Sequence, residues 1–397
     1  MDDIKLLIPC AYPIANLLLS FLVFHLTLHT SNHQRRLLLL PGFQLFAILS
    51  FKQSTHLLLL PRVASVWAQS VLLNIMHVLS LFLIEKWPVP DHNHGKTTES
   101  HRSRLRASYW LWSNPRLIPT AKPSTVKARK DLLVECLFRR LPKLPLYYLI
   151  NQYLQPRLLD ATIGALRSED VARAALFTGL SDFTLREAAV RSYVAVSWVW
   201  DNFILMDSLH AVLATVMIAS RLDQPEDWPR LFGGVRNMCG LRNFWSRFWH
   251  RLARRSHVNY GRVVTNSIAF LGSSGSTRVS DTIVAFMAFL ISGLSHAAVS
   301  RQMGWDDWLD VKWFMLNFVA CLVEKVVLET VQLAAARIGR KRELEAFEES
   351  ILGRLLGTFW VFAFFFWSVP LWQFPRLYQG LIRAERRAII ASYLEKH

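Results

Sequence analysis

Charged side chains are missing from four long stretches of this 397-residue sequence: residues 6 to 34, 63 to 84, 282 to 300 and 355 to 375 contain no Asp, Glu, Lys or Arg. A water-facing surface is excluded along them, and each is long enough to cross a bilayer, which takes about 20 predominantly apolar helical residues. Cysteine is scarce as well. Cys10, Cys136, Cys239 and Cys321 are scattered without a C-x-x-C, which excludes a disulfide framework and a cysteine zinc site. No histidine is followed four residues later by aspartate, so an H-x-x-x-D centre is absent. A hydrolase elbow G-x-S-x-G is missed by one residue, because 272 to 276 read GSSGS; small residues for close helix packing explain that stretch better. There is no internal repeat and no long low-complexity tract.

What is present is apolar surface: 52% of residues are hydrophobic, more than a soluble core of this size needs to bury. The expected fold is therefore all-α, a polytopic transmembrane helical bundle. Weaker spans are expected at 37 to 51, 132 to 153, 188 to 220, 263 to 277 and 311 to 335, for about seven to nine crossings. The first apolar stretch lacks a basic segment before it and an A-x-A site after it, so it reads as a retained anchor rather than a signal peptide.

Acids are in deficit, 29 against 46 basic residues, for a net charge of +17. In a soluble chain this would suggest nucleic acid. Here the basic residues crowd the joints between spans, at Arg102, Arg104 and Arg106, at Lys122 to Lys130, at Arg247 to Arg255 and at Arg337 to Arg342. That is the positive-inside pattern, which makes the lipid bilayer the partner, excludes nucleic acid and places these joints in the cytosol. The basic run Arg383, Arg386 and Arg387 fits poorly with a single crossing at 355 to 375. Composition divides the chain into an N-terminal transmembrane region, 1–85, a basic Pro-containing surface loop, 86–130, and a region of further spans, 131–397, that holds the chemistry. Residues 164 to 191 read as an interfacial amphipathic helix.

Two segments carry that chemistry. Residues 228 to 260 read WPRLFGGVRNMCGLRNFWSRFWHRLARRSHVNY, with aromatics suited to headgroup depth and a basic face. Residues 282 to 300 form an apolar span whose one ionisable side chain is His296. A histidine there is a functional candidate because leaving it against lipid is costly; a hydrogen bond to a neighbouring helix is the plain alternative. His25, His29, His77 and His210 also sit in apolar stretches.

Taken together, F-W-x-R-x-W-H and a later apolar S-G-x-x-H resemble the wax synthase-like branch of the membrane-bound O-acyltransferase superfamily, of the kind found in fungal acetyltransferases of terpenoid and secondary-metabolite pathways. The residues are Trp228, Pro229, Leu231, Phe232 and Gly233; Arg242, Phe244, Trp245, Arg247, Trp249 and His250; and Ser292, Gly293 and His296. Phe244 to His250 also aligns with the F-Y-x-D-W-W-N element of sterol and diacylglycerol acyltransferases, Arg247 replacing its aspartate and His250 its asparagine. The resemblance covers about the last 200 residues and implies transfer of an acyl group, most readily acetyl, from acyl-CoA to the hydroxyl of a lipophilic alcohol, with no further cofactor. It implies His296 as general base and His250 as the second catalytic residue. Asn243, Trp245, Arg247, Trp249 and Ser292 are then substrate contacts, and Arg251, Arg254 and Arg255 lie where coenzyme A phosphates would be met. Simple anchoring explains the arginines equally well. The expected location is the endoplasmic reticulum.

Three other functions share some of these features. A wax ester synthase would use the same machinery on long-chain alcohols. A magnesium-dependent prenyltransferase would use Asp306, Asp307 and Asp310, which spell D-D-x-x-D, although a second such cluster is missing. A transporter would use Lys312, Glu324, Lys325 and Glu329 as a polar pathway, although the halves show no repeat symmetry.

Overall fold

The computed structural model describes residues 2–57, 61–88, 101–119, 137–164, 166, 170, 183–270, 277–305 and 308–396. Among them there is no strand, and the chain runs through helices α1 (Asp2–His29), α2 (His33–Lys52), α3 (Pro61–Leu79), α4 (His101–Ser113), α5 (Lys143–Leu149), α6 (Gln155–Thr162), α7 (Leu185–Ala219), α8 (Arg254–Phe270), α9 (Thr277–Gln302), α10 (Trp308–Arg337), α11 (Lys341–Glu349) and α12 (Ile351–Lys396). About half of the 86–130 loop, most of the 164 to 191 stretch, Cys136, the GSSGS stretch, Asp306 and Asp307 lie outside the described residues.

Six helical segments among the described residues are long and apolar enough to cross a membrane: Pro9–His29, His33–Leu57, Arg62–Ile84, Leu185–Ala219, Val279–Gln302 and Ile351–Ile382. They include all four charge-free stretches and two of the weaker ones. The other expected stretches fall short of that length or apolarity for separate reasons. Residues 137–153 are broken into short pieces around Pro142, α8 is studded with polar residues, and α10 is long enough but carries Lys312, Glu324, Lys325 and Glu329. The first charge-free stretch is two helices rather than one. Asn32 stops the first and caps the second, its side chain accepting from the amides of Gln34 (2.8 Å) and Arg35 (3.3 Å). The orphan carbonyls at the end of α1 are answered by buried Arg36, whose guanidinium donates to the carbonyl oxygens of Leu28 and Thr30, and also to that of Trp87.

The chain divides into two compact units, residues 1–118 with 251–319, and residues 119–250 with 320–397. In the first, Phe24, Leu28, Leu40, Phe43, Val71, Val78, Leu81 and Phe82 form a core between α1, α2 and α3. Leu18, Leu22 and Leu26 point the other way and are half or more exposed, a stripe at helical spacing that suits lipid and would be a liability in water. Glycines set the approach of α8, α9 and α10. A Cβ on Gly261 would come within 2.9 Å of the Val284 Cα, and one on Gly293 within 3.1 Å of both the Val311 Cα and the Phe314 Cβ.

In the second unit α7 begins at Thr184, whose hydroxyl caps the Glu187 amide at 3.1 Å, and packs along α12. The contact is aromatic. Trp198 meets Phe365 and Trp372 edge-on, and the guanidinium of Arg191 lies over Phe374. At about 1.5 Å per residue, the 46 residues of α12 extend about 69 Å, so residues 383–387 sit on the continuation of a helix that has already had length enough to cross.

Candidate active site

Each unit holds one group of the expected site residues. In the second unit, the segment 228–233 is laid against 244–250 at backbone distance. The Gly233 amide donates to the Phe248 carbonyl at 2.8 Å, and a Cβ on Gly233 would stand 2.1 Å from the Arg247 carbonyl oxygen, so only glycine fits. Phe244 to Phe248 form a single wide π-helical turn closed by the Trp249 amide on the Phe244 carbonyl at 2.7 Å. That turn aims Trp249 into an aromatic nest: it stacks on Trp198 (centroids 5.5 Å apart) and Phe244 (5.4 Å), with Trp245 and Phe232 edge-on. Trp249 is buried, and half-buried His250 lies against both Trp249 and Phe232. Asn243 spends an amide hydrogen on the Cys239 carbonyl within its own turn (3.0 Å), while Arg247 is exposed.

A residue read from sequence as part of a polar pathway holds this segment in place. Glu324 accepts from the amides of Leu241 (2.7 Å) and Arg242 (3.2 Å) and from the Trp360 indole (2.8 Å). It therefore caps the turn that leads into F-W-S-R-F-W-H. Gly240 makes room for the carboxylate, at φ +83° and with its missing Cβ only 3.1 Å from Glu324 Oε1.

In the first unit His296 is half-buried on α9, its ring stacked on Phe314 with centroids 4.9 Å apart. Ser292 stands one turn earlier on the same face, and its hydroxyl lies 3.3 Å from Nδ1 of His257 on α8. His257 escaped the sequence reading. Burial, and secondarily the neighbouring His296, push its pKa down to about 4, so it is neutral at physiological pH. What the sequence offers is spacing alone, His257, Gly261 and Thr265 standing four apart on one helix face; the structure shows that face buried.

The three arginines expected to meet phosphate are not equivalent. Arg251 and Arg254 are exposed. Arg255 is largely buried, pairs with Glu85 and lies 3.4 Å from the His77 ring, while Asn259 and Ser80 donate to the same carboxylate. Half-buried Arg116 is a further cation of this unit, its pKa lowered first by burial and then by Arg251. Of the D-D-x-x-D residues, Asp310 is described: it is buried and accepts a hydrogen bond from the Ser300 hydroxyl.

Residues 228–318, which contain both histidine motifs, match the Membrane bound O-acyl transferase family. Acetyltransferase eriL of Hericium erinaceus is 30% identical over 176 residues, 43% of this chain and 42% of that protein. Acetyltransferase aurG of Calcarisporium arbuscula is 27% identical over 220 residues, 53% and 51% of the two chains. Acetyltransferase atnC of Arthrinium sp is 28% identical over 201 residues, 49% and 43%. No solved structure matches. The chain thus spans about half the length of the curated relatives it matches, and the likeness expected from its motifs is found: over the stretch that carries them, it is similar to the membrane-bound O-acyltransferase family and to fungal proteins named acetyltransferases.

Proposed function

We propose that the chain is an acyl-CoA-dependent O-acyltransferase of the endoplasmic reticulum, an acetyltransferase whose acceptor is a lipophilic alcohol such as a hydroxylated terpenoid of secondary metabolism. The observation that carries this reading is the family match over 228–318, which takes in both His250 and His296. The chemistry of His296 supports it. It is the one ionisable side chain of its apolar stretch, and an imidazole is the side chain best suited to accept the proton of an attacking alcohol. The alcohol gives its proton to His296 as its oxygen attacks the thioester carbonyl. The carbon–sulfur bond then breaks, the ester leaves, and the coenzyme A thiolate recovers the proton from the imidazolium. No acyl-enzyme is needed. His250 is kept as the second catalytic candidate from its motif position alone. Arg251 and Arg254 are the candidates for coenzyme A phosphates, whereas Arg255 is committed to Glu85.

The test is transfer of labelled acetyl from acetyl-CoA to a panel of terpenoid alcohols by microsomes carrying the chain, with thiol release followed in parallel. Preference for a long-chain acyl-CoA and a fatty alcohol would move the assignment to wax ester synthesis. Absence of both transfer and thiol release would remove the enzymatic reading.

A further inference from the structure

Close packing of α8 on α9 at Gly261 brings His257 against Ser292, one helical turn from His296. The His257 side chain is almost wholly buried, with 4% of the residue exposed. Its Nδ1 has the Ser292 hydroxyl; its Nε2 is buried and has no hydrogen-bond partner. Buried polar atoms in native proteins are nearly always satisfied, and one that is not calls for an explanation. Packing alone does not supply it, since an apolar ring of the same shape would fill the space without an orphan.

We propose that His257 Nε2 is a binding contact for the acceptor alcohol, holding its oxygen beside His296. This rests on the reading of His296 as the base. When the Ser292 hydroxyl donates to Nδ1, the single proton of the neutral ring resides on Nε2, which donates to a lone pair of the alcohol oxygen. The alcohol's own proton is left to point at His296. The surroundings select the acceptor rather than the thioester's nucleotide end, because Phe314, Val311 and Gly293 line this part of α9 and α10, an apolar wall suited to a lipophilic alcohol. His257 remains neutral throughout, a donor rather than a second base.

The test compares His257→Phe with His257→Gln in the full-length protein, varying alcohol and acetyl-CoA separately. Phenylalanine fills the site and removes the donor, so melting temperature should hold or rise while kcat/KM for the alcohol falls about tenfold or more. The KM for acetyl-CoA should stay within about twofold. Glutamine places an amide N–H near the Nε2 position and should restore most of the lost kcat/KM. Should the phenylalanine chain fail to accumulate, His257→Met read against His257→Gln makes the same comparison. Wild-type kcat/KM for the alcohol in the donor-free variant overturns the proposal while leaving the acyltransferase reading intact. So does an equal loss toward both substrates that glutamine does not repair. A wild-type protein that transfers acetyl to no alcohol sinks both.

Discussion

A histidine on an apolar helix is tolerated either because a neighbour satisfies it or because it works on a substrate, and substitutions separate the two. For His296 the working reading requires a basic nitrogen. His296→Ala should lower kcat by about 10²-fold or more with the protein still inserted. His296→Gln, which keeps bulk and hydrogen bonding but takes no proton near neutrality, should be nearly as inactive. An active glutamine variant would remove His296 as the base. His257 adds a pH signature. Its pKa is lowered from 6.5 to about 4, so the unfolded chain binds the proton first, and stability present above about pH 6.5 should drain away on acidification toward pH 4. Melting curves in detergent should show that slope, and His257→Phe should flatten it; an unchanged slope would mean other groups control acid stability. The arginines divide similarly. Replacing exposed Arg251 and Arg254 by glutamine should raise the KM for acetyl-CoA several-fold. Arg255→Met should instead cost about 1 to 3 kcal/mol of stability, reduced from the fully buried case because the paired side chains are 19% and 23% exposed. A KM effect from Arg255 without loss of stability would reverse that division.

Elements explain why some of this was legible in the sequence and some was not. Charge-free runs mark apolar helix directly, so 63 to 84, 282 to 300 and 355 to 375 each fall within a helix long and apolar enough to cross a membrane. Hydropathy cannot see where one apolar helix ends and the next begins, so the break before Asn32 was carried by capping chemistry instead. The motif residues were legible as types, but not the geometry that supports them. Glu324 lies 83 residues from the amide it caps, and nothing local marks it as a cap rather than a charge in a pathway. Glu324→Ala should strip three acceptor contacts from the turn before F-W-S-R-F-W-H. The cost should be about 2 to 5 kcal/mol, because three contacts to one half-buried carboxylate do not add at the full value of a hydrogen bond to a charged group, with acetyl transfer falling in parallel. Glu324→Gln, which keeps one acceptor oxygen, should fall between. Gly233→Ala should be worse, since the Arg247 backbone in its path has no flexible end to yield. Thermal melting with rate measurement checks both, and a fully active, wild-type-stable Glu324→Ala would show that the cap is dispensable.

At the scale of the whole chain, the distribution of arginine and the count of crossings make one connected prediction. The cluster at 247–255 lies between the spans Leu185–Ala219 and Val279–Gln302, and that at 337–342 between Val279–Gln302 and Ile351–Ile382. If only the six apolar helices cross, these two basic joints fall on opposite sides, against the positive-inside tendency. They fall on one side if α10 also crosses. Its 30 residues reach about 45 Å at about 1.5 Å each, ample for the hydrocarbon layer. Three of the four charges that set it apart are answered: Glu324 by two amides and an indole, and Lys325 by Glu329 one turn on. Paired charges are the form in which ionisable groups enter a membrane. Single cysteines placed near Arg247 and near Arg340, in a chain otherwise free of cysteine, should therefore both react with an impermeant reagent in sealed, cytosol-out microsomes. Labelling near Arg340 only after permeabilisation would show that α10 does not cross. If both sites needed permeabilisation, the crossing would stand and the orientation would be reversed, taking Arg251 and Arg254 away from cytosolic coenzyme A.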